Sequence, residues 1–358
     1  MTRRPLTVLQ VAYPFAPVGP DAVGGAEQVL TLLDHGLTRL GHRSVVVACA
    51  GSATAGPLVA TPLPSGPITD AAREAAHAAH RRGIERALER HGPVDLVHMH
   101  GVDFHRTLPP PGVPALATLH LPPAWYPPEV FRPTRPDTWL NAVSHSQHRA
   151  CPRSAALLPP VPNGVPVEAL PAPVSRRGFA LCLGRICPEK NQHAALEAGG
   201  LAGVPVLLGG QVFPYAEHER YWRDAVAPLL APGPHRFLGP VGFARKRRLL
   251  SAARCLLSAS LAPETSSLVA MEALACGTPV VAFPSGALPE IVEHGVTGFL
   301  ARDTREMAEA IRAAAALDPA ACRDAARRRF GAAAMVDRYL DLYGRLARRG
   351  QADHAAVA

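Results

Sequence analysis

Short apolar runs alternate with segments of helical periodicity along most of the chain, and this order limits the fold more than any other feature. The first apolar run, residues 6–12, precedes a loop rich in proline and glycine and then a segment whose apolar residues recur every three or four positions. Similar runs follow at residues 45–49, 94–99, 114–119 and 139–143. Because no hairpin turns join these runs, the pattern predicts parallel strands connected by helices.

The alternation begins again after residues 159–177, a stretch rich in proline that lacks periodicity and that we interpret as a linker. Apolar runs in the second half occupy residues 179–183, 204–208, 254–258 and 279–283. Between them we predict helical segments near residues 190–199, 215–230, 244–253 and 267–276. We therefore predict an α/β protein with two doubly wound domains that face a central cleft. Ligands of such sheets bind at the carboxyl ends of the strands, so the loops there should carry the functional residues.

The 358 residues carry a net charge of +8, and nearly all of the positive charge is arginine. Only two lysines occur, Lys190 and Lys246, so a bias acts across the whole sequence and the arginine content alone indicates little about function. A lysine retained against that bias is more informative. Hydrophobic residues make up 48% of the chain and charged residues 18%, which indicates a compact rather than a disordered protein.

Seven cysteines occur without a C-x-x-C pair, which argues against a disulfide framework and against a zinc site of familiar spacing. His98, His100 and His105 also lack a cysteine or carboxylate at the spacing of known metal sites, so we predict no metal site. Reduced cysteines and the absence of a long, uncharged apolar segment predict a cytoplasmic protein. We interpret residues 6–12 as a first strand rather than as a secretion signal.

Residues 183–191 lie where a predicted strand ends and a helix begins. Arg185 provides a planar fork of hydrogen-bond donors and Lys190 a compact ammonium group, next to the amides of a helix N-terminus. Such a group of positive charges and donors suits a diphosphate. The alternative is a pair of solvated surface cations, and the rarity of lysine in this chain keeps both interpretations open.

Two carboxylates flank another predicted helix start. Glu264 precedes the helix, and Glu272 lies about 7 to 8 Å along its axis at a rise of 1.5 Å per residue. Between them lie the first amides of the helix, which belong to Ser267, Leu268 and Val269. Carboxylates at both ends can bind hydroxyl groups and the amides a phosphate, which is the layout of a nucleotide sugar. The alternative is that Glu264 only stabilises the helix by interacting with the positive end of its dipole, while Glu272 lies on a solvated face.

Together these segments resemble the retaining glycosyltransferases of family 4, which have the two-domain GT-B architecture. The two glutamates and the cations at residues 185 and 190 carry much of the resemblance. Further matching motifs occupy residues 24–27, 41–42, 95–100, 142–144, 162–165, 184–185, 190–191, 277–282 and 296–300. Each motif is weak alone, whereas their order and spacing together are specific for the family.

The resemblance implies two Rossmann-like domains: residues 1–165 bind the acceptor, residues 166–330 bind the nucleotide sugar, and residues 331–358 form a helix that crosses back to the first domain. It implies transfer of a sugar from a nucleotide-diphosphate sugar to an acceptor hydroxyl with retention. The reaction implied by the resemblance is a front-side displacement, in which the leaving phosphate oxygen takes the acceptor proton and no metal or other cofactor is required. The partners are the nucleotide sugar and an unidentified acceptor, with peripheral membrane contact if the acceptor is lipid-linked.

The same resemblance assigns roles to individual residues of the second domain. Arg185 and Lys190 hold the donor diphosphate and neutralise the charge on the leaving group. Glu264 contacts donor-sugar hydroxyls near the anomeric carbon, and Glu272 binds the ribose. Two serines at 266 and 267 occupy positions where the family usually has phenylalanine and glycine, and we hypothesise that they change which donor sugar fits.

In the first domain, the resemblance places His120 against the donor sugar as a catalytic contact, although Leu121 replaces the acidic neighbour that is usual in the family. Gly24 and Gly25 line the cleft where the backbone can approach a ligand closely.

Three alternatives concern other functions. An oxidoreductase that uses NAD needs a G-x-G-x-x-G motif after the first strand, and the loop at residues 13–25 lacks that spacing. A nucleotide-sugar epimerase of GT-B-like fold would act without an acceptor. A basic protein that binds nucleic acid or a membrane surface is supported by net charge alone. We interpret the basic run at residues 245–248 as a solvated helix face and predict no nucleic-acid partner.

Overall fold

The computed structural model describes residues 4–66, 68–170, 177–230 and 233–357. The chain divides into two units, one formed by Met1–Asn163 with Ala332–Ala358 and the other by Gly164–Gly331. The boundaries between the two units follow Asn163 and Gly331. The C-terminal helix belongs to the first unit.

The first unit is built on one parallel sheet. Its described strands are β1 (Thr7–Val11), β2 (Arg43–Cys49), β3 (Leu58–Thr61), β4 (Leu96–Met99), β5 (Ala115–Leu119), β6 (Thr138–Ala142) and β7 (Leu157–Leu158). Its described helices are α1 (Gly25–Arg39), α2 (Asp70–His91), α3 (His145–Ala150) and α12 (Ala332–Val357). The strand order is β3-β2-β1-β4-β5-β6-β7 and every pairing is parallel, so the predicted α/β fold is confirmed here.

The strand order reverses between β1 and β4, which places the loops after these two strands side by side. Both strands are almost wholly buried, as expected of a parallel sheet with helices on both faces. The helix α1 buries Val29, Leu33 and Leu37, three of the apolar positions whose spacing predicts the helix. The loops after β1 and β4 carry Gly24 and His100, so the topology brings two of the predicted motifs to one edge of this sheet.

A buried hydrogen-bond network attaches α12 to the sheet of the first unit. Nδ1 of His98 lies 2.7 Å from the Tyr343 hydroxyl, and Nε2 lies 2.7 Å from Oγ1 of Thr118. Thr118 donates to Oδ1 of Asn141, whose amide donates to the Tyr339 hydroxyl. Because the Thr118 hydroxyl has one hydrogen, His98 donates from Nε2 and accepts at Nδ1. His98 is therefore committed to structural contacts.

The second unit has a parallel sheet of its own. Its described strands are β8 (Ala180–Leu183), β9 (Val206–Gly209), β10 (Arg236–Phe237), β11 (Cys255–Ser258), β12 (Val280–Ala282) and β13 (Gly298–Leu300). The helices described are α4 (Gln192–Ala202), α5 (Ala216–Tyr221), α6 (Ala227–Leu230), α7 (Phe243–Ala252), α8 (Leu268–Ala275), α9 (Leu288–Ile291), α10 (Thr304–Ala313) and α11 (Pro319–Arg329). The strand order is β10-β9-β8-β11-β12-β13, and apolar clusters cover both faces of the sheet.

The helical segment predicted near residues 215–230 is interrupted. A π turn at Trp222–Val226 separates α5 from α6. Pro228 lies one residue into α6 and has no backbone N–H, so a regular α-helical ladder cannot continue through this position. Among the described residues, no helix combines the length and apolar character needed to cross a membrane.

Candidate active site

The turn that follows β8 carries Arg185 and Lys190, the two cations predicted to bind a diphosphate. A 3-10 turn at Pro188–Lys190 leads to Asn191, which adopts a left-handed conformation (φ 54°, ψ 43°) directly before α4. Asparagine tolerates this conformation better than most residues, which gives a physical reason for its presence here. The side-chain amide of Gln192 donates to the Arg185 carbonyl at 2.6 Å, so the helix start fixes the backbone of the turn.

Glu264 lies at the centre of a polar cluster in the second unit. The Lys190 ammonium and the Ser260 hydroxyl both donate to Oε1 of its carboxylate. The Glu264 side chain is 11% exposed and that of Lys190 is 32% exposed. Burial raises the pKa of Glu264, but the charge and hydrogen bond of Lys190, the Ser260 hydroxyl and the charge of Arg185 outweigh burial and leave the pKa lowered. The carboxylate is therefore ionised at neutral pH.

The backbone of Glu264 is held by a close approach of the chain at Gly286. The amide of Ala287 donates to the Glu264 carbonyl at 2.7 Å. Gly286 has a φ of +59°, and a Cβ at this position would lie 2.2 Å from the Glu264 carbonyl oxygen. Glycine is therefore required by both the backbone conformation and the space. Gly286 was not predicted as a site residue, because no local motif marks a contact between distant loops.

The helix α8 begins at Leu268, one residue after Ser267, which adopts a left-handed conformation with φ 47° and ψ 68°. Such a conformation costs a non-glycine residue about 1 to 2 kcal/mol. The neighbouring Ser266 is buried, and within the described structure its hydroxyl has no hydrogen-bond partner. The helix start thus presents the predicted amides of Ser267, Leu268 and Val269, which as first amides lack intrahelical acceptors.

Glu272 is paired with Lys246, the second lysine of the chain. Lys246 donates to Oε1 of Glu272 at 2.6 Å, and the two side chains are 13% and 3% exposed. The prediction that residues 245–248 form a solvated basic face is therefore wrong at Lys246. The physical reason is that α7 packs on α8, which turns position 246 toward Glu272 while Arg245 and Arg248 are exposed. The scarcity of lysine was the signal that could have identified Lys246.

The charge environment of Glu272 differs from that of Glu264. Burial raises the pKa of Glu272, and the charge and hydrogen bond of Lys246 offset that effect only in part. In the described part of the chain, Oε2 of Glu272 is buried and has no hydrogen-bond partner. This oxygen can accept a hydrogen bond from a ligand. The alternative of a solvated Glu272 is excluded by its burial.

In the first unit, His120 follows the end of β5. Its ring nitrogen Nε2 lies 3.1 Å from Nδ1 of His100, and its backbone amide donates to the Tyr126 hydroxyl at 2.9 Å. Burial lowers the pKa of His120 to about 3, and burial also lowers the pKa of His100 well below its ordinary value. Both rings are therefore neutral at pH 7, and within the pair one ring donates and the other accepts.

Gly24 caps α1, as the predicted motif at residues 24–27 requires. A Cβ on Gly24 would lie 1.9 Å from Oε2 of Glu27, because this carboxylate folds back over the helix start. Glu27 is buried, and burial raises its pKa although its own backbone amide opposes the shift. A substitution at Gly24 would thus displace a buried carboxylate. The sequence analysis assigned no role to Glu27.

Comparison with known families decides the classification. Residues 23–158 match the family model described as Glycosyltransferase Family 4, and residues 179–316 match the model described as Glycosyl transferases group 1. One match lies in each unit of the chain. The chain belongs to the family 4 glycosyltransferases. The resemblance inferred from the motifs is therefore confirmed.

Among curated proteins, this glycosyltransferase family member is similar to the D-inositol 3-phosphate glycosyltransferase of Saccharomonospora viridis. The two are 36% identical over 214 residues, which represent 54% of this chain and 47% of that protein. The chain spans less than half the length of the curated relatives that it matches.

Solved structures match nearly the whole chain. AviGT4, a glycosyltransferase involved in avilamycin A biosynthesis, is 25% identical with a TM-score of 0.72, over 96% of this chain and 98% of that chain. Anabaena HepE, solved with UDP and glucose, is 20% identical with a TM-score of 0.72, over 95% and 99% of the two chains. These neighbours confirm the GT-B fold.

The structure thus brings some of the predicted site residues of this family member into contact. Lys190 contacts Glu264, and Arg185 contributes its charge to the same carboxylate. Glu272 contacts Lys246, which was not predicted as a site residue. The predicted His120 contacts His100 within the first unit. Ser260, Gly286 and His100 are the further residues that support these side chains.

Proposed function

We propose that the protein transfers a sugar from a nucleotide-diphosphate sugar to an acceptor hydroxyl with retention of the anomeric configuration. The cluster of Arg185, Lys190 and an ionised Glu264 carries the proposal, because two cations from the loop before α4 meet a carboxylate from the loop before α8. A leaving diphosphate needs cations, and a developing positive charge at the anomeric carbon needs an anion. Both requirements are supplied by neighbouring side chains of one unit.

In this mechanism Lys190 and Arg185 neutralise the charge that accumulates on the diphosphate as the glycosidic bond breaks. The first amides of α8, those of Ser267, Leu268 and Val269, donate hydrogen bonds to phosphate oxygens. We infer that these fixed charges and dipoles stabilise the leaving group without a metal ion or another cofactor.

Glu264 then acts on the donor sugar. Its lowered pKa keeps the carboxylate charged, so it accepts hydrogen bonds from sugar hydroxyls and stabilises positive charge on the anomeric carbon. The leaving phosphate oxygen takes the proton of the acceptor hydroxyl on the same face of the sugar, and no side chain is required as a general base. Glu272 accepts a hydrogen bond from the ribose through Oε2.

We assign acceptor binding to the first unit. His120 is neutral at pH 7 because its pKa is lowered. Its ring can therefore form a hydrogen bond with a sugar hydroxyl but cannot supply a positive charge. Gly24 and Gly25 allow a ligand to approach the start of α1. All seven cysteines lie within the described residues, and each is a free thiol. Because free thiols persist in the cytoplasm, we place the reaction there. A lipid-linked acceptor would bring the protein to a membrane surface.

The test is donor turnover by the purified chain. UDP-sugars are tried first, since the fold neighbour HepE was solved with UDP and glucose, followed by GDP- and ADP-sugars. We expect slow release of the nucleoside diphosphate to water, faster release with acceptor fractions, and a product of retained configuration by NMR. Lys190→Ala should lower turnover at least about tenfold, since a hydrogen bond to a charged group contributes about 1.5 to 3 kcal/mol.

Arg245→Ala is the matched control, because Arg245 is an exposed cation on α7. Its turnover should equal that of the unsubstituted protein. A product of inverted configuration would contradict the retaining mechanism. A rearranged sugar formed without acceptor would favour the epimerase instead.

A further inference from the structure

Three potential metal ligands meet beside the turn that carries Lys190. Cys187 and Glu189 belong to that turn, and His218 belongs to α5. The Cys187 sulfur, a Glu189 carboxylate oxygen and a His218 ring nitrogen all lie within 4.8 Å of one another. No metal site was predicted from the sequence, because the histidine comes from a helix far along the chain and no familiar spacing marks the group.

Two of these side chains have polar atoms without partners. Oε2 of Glu189 and Nδ1 of His218 are buried and, among the described residues, have no hydrogen-bond partner. His218 is only 7% exposed. A buried polar atom that is left unpaired costs about 1 to 3 kcal/mol. A ligand that bonds to both atoms would remove this cost.

The chemistry of the group selects the ligand. Sulfur, imidazole nitrogen and carboxylate oxygen are the three donor types that zinc accepts, whereas magnesium and calcium require oxygen donors. Tetrahedral zinc holds such donor atoms about 3.3 to 3.6 Å apart, given bonds of about 2.0 to 2.3 Å. The three ligand atoms, which lie within 4.8 Å of one another, would therefore have to move closer together around the ion. We propose that Cys187, Glu189 and His218 bind a zinc ion, with solvent as the fourth ligand.

The position of this zinc site links it to the turn after β8. The Leu261 amide donates to the carbonyl of Glu189 at 2.8 Å, and Leu261 lies in the loop between β11 and α8 that also contains Glu264. Zinc bound to Cys187 and Glu189 therefore stabilises a turn that contacts a second loop. Zinc binding at this site does not depend on the proposed sugar transfer, and it is measured without any nucleotide.

The experiment titrates the full-length protein with Co²⁺ after chelator treatment, followed by competition with Zn²⁺. We expect one equivalent of Co²⁺ with sulfur-to-cobalt charge-transfer absorption, and its displacement by one equivalent of Zn²⁺. Zn²⁺ should also raise the melting temperature. Cys187→Ser should abolish the charge-transfer band, and His218→Gln should weaken Co²⁺ binding at least about tenfold.

Two control variants separate the site from other ligands of the chain. Cys151→Ser removes a part-buried thiol of the first unit, and Glu219→Gln removes an exposed carboxylate next to His218 on α5. Both should bind Co²⁺ as the unsubstituted protein does, and circular dichroism without metal should show all variants folded. Absence of the charge-transfer band, or equal loss of binding in a control variant, would overturn the proposal.

Discussion

The second unit contains two lysine–glutamate pairs that use both lysines of the chain, yet the two carboxylates differ in charge behaviour. Lys190 pairs with Glu264, whose pKa is lowered, and Lys246 pairs with Glu272, whose pKa is raised. Glu264 accepts a second hydrogen bond from Ser260, whereas Oε2 of Glu272 has no partner among the described residues. One lysine can thus form an ion pair with a buried carboxylate, but it does not by itself keep the pKa of that carboxylate low.

This difference indicates that the two carboxylates differ in what a bound ligand would change in their surroundings. Glu264 is already a stable anion, as a residue that stabilises positive charge must be before the substrate arrives. Glu272 has an unsatisfied oxygen, so its environment is completed when a donor such as a ribose hydroxyl binds. The proposed roles of the two glutamates follow from this contrast, and the predictions below test it.

The largest effect is expected at the more buried pair. Lys246→Met leaves the Glu272 carboxylate buried without its lysine partner, which should lower the free energy of unfolding by about 3 kcal/mol. Lys190→Met should cost only about 1 kcal/mol, because Lys190 is more exposed. Urea unfolding measures both values, with Arg245→Met as a control that changes stability by less than about 0.5 kcal/mol. Equal losses at the two lysines would contradict the contrast.

The next effect concerns catalysis. Glu264→Gln keeps the shape of the side chain but removes its charge, so kcat for sugar transfer should fall about 100-fold while nucleoside diphosphate affinity changes little. Glu217→Gln, an exposed carboxylate on α5, should leave kcat unchanged. A loss of affinity with unchanged kcat would assign Glu264 to ground-state binding alone.

The two carboxylates should also give opposite pH dependences of stability. The lowered pKa of Glu264 stabilises the fold above the ordinary value of 4.5, and this contribution is lost as pH falls through the folded pKa. The raised pKa of Glu272 has the reverse sign, so its cost is present at neutral pH and shrinks as pH falls toward 4.5. Chemical unfolding of Glu264→Gln and Glu272→Gln, compared with the unsubstituted protein between pH 2 and 8, measures both contributions. Parallel curves for the two variants would refute the assignment.

The smallest effect is expected at Ser267. Glycine at this left-handed position should raise the free energy of unfolding by about 1 kcal/mol, because the strain on Cβ is removed.

Ser266→Phe combined with Ser267→Gly should change the preference among donor sugars. Unfolding curves of Ser267→Gly measure the change in stability, and donor profiling of the double variant measures the sugar preference. An unchanged sugar preference would contradict the hypothesis that the two serines determine which donor sugar fits.

The regular parts of the fold were predictable because they depend on local pattern. Parallel strands with covered faces appear as apolar runs, and the runs at residues 45–49 and 254–258 correspond to β2 and β11. The edge strands β7 and β10, of two residues each, are too short to produce such a run. The helical segment predicted near residues 215–230 is present as α5, a π turn and α6, but its pattern did not reveal the π turn that precedes Pro228.

The site was predictable where it depends on loops that follow strands, and not where it depends on contacts between distant segments. Glu264 and Lys190 were identified from loop position and residue type. Ser260 and Gly286 support Glu264 through contacts that no spacing encodes. Lys246 was assigned to a solvated face because its helix carries neighbouring arginines, although the packing of α7 on α8 buries it.

We propose that the second unit binds a nucleoside diphosphate through Lys190 and Glu272. Thermal shift measurements with UDP, GDP and ADP test it directly, since a ligand at 100 times its dissociation constant stabilises a protein by about 2.7 kcal/mol. We predict a rise in melting temperature with one of the three nucleotides, and a much smaller rise in Lys190→Ala and Glu272→Ala than in Arg245→Ala. No shift with any nucleotide, or an equal shift in all variants, would contradict the account.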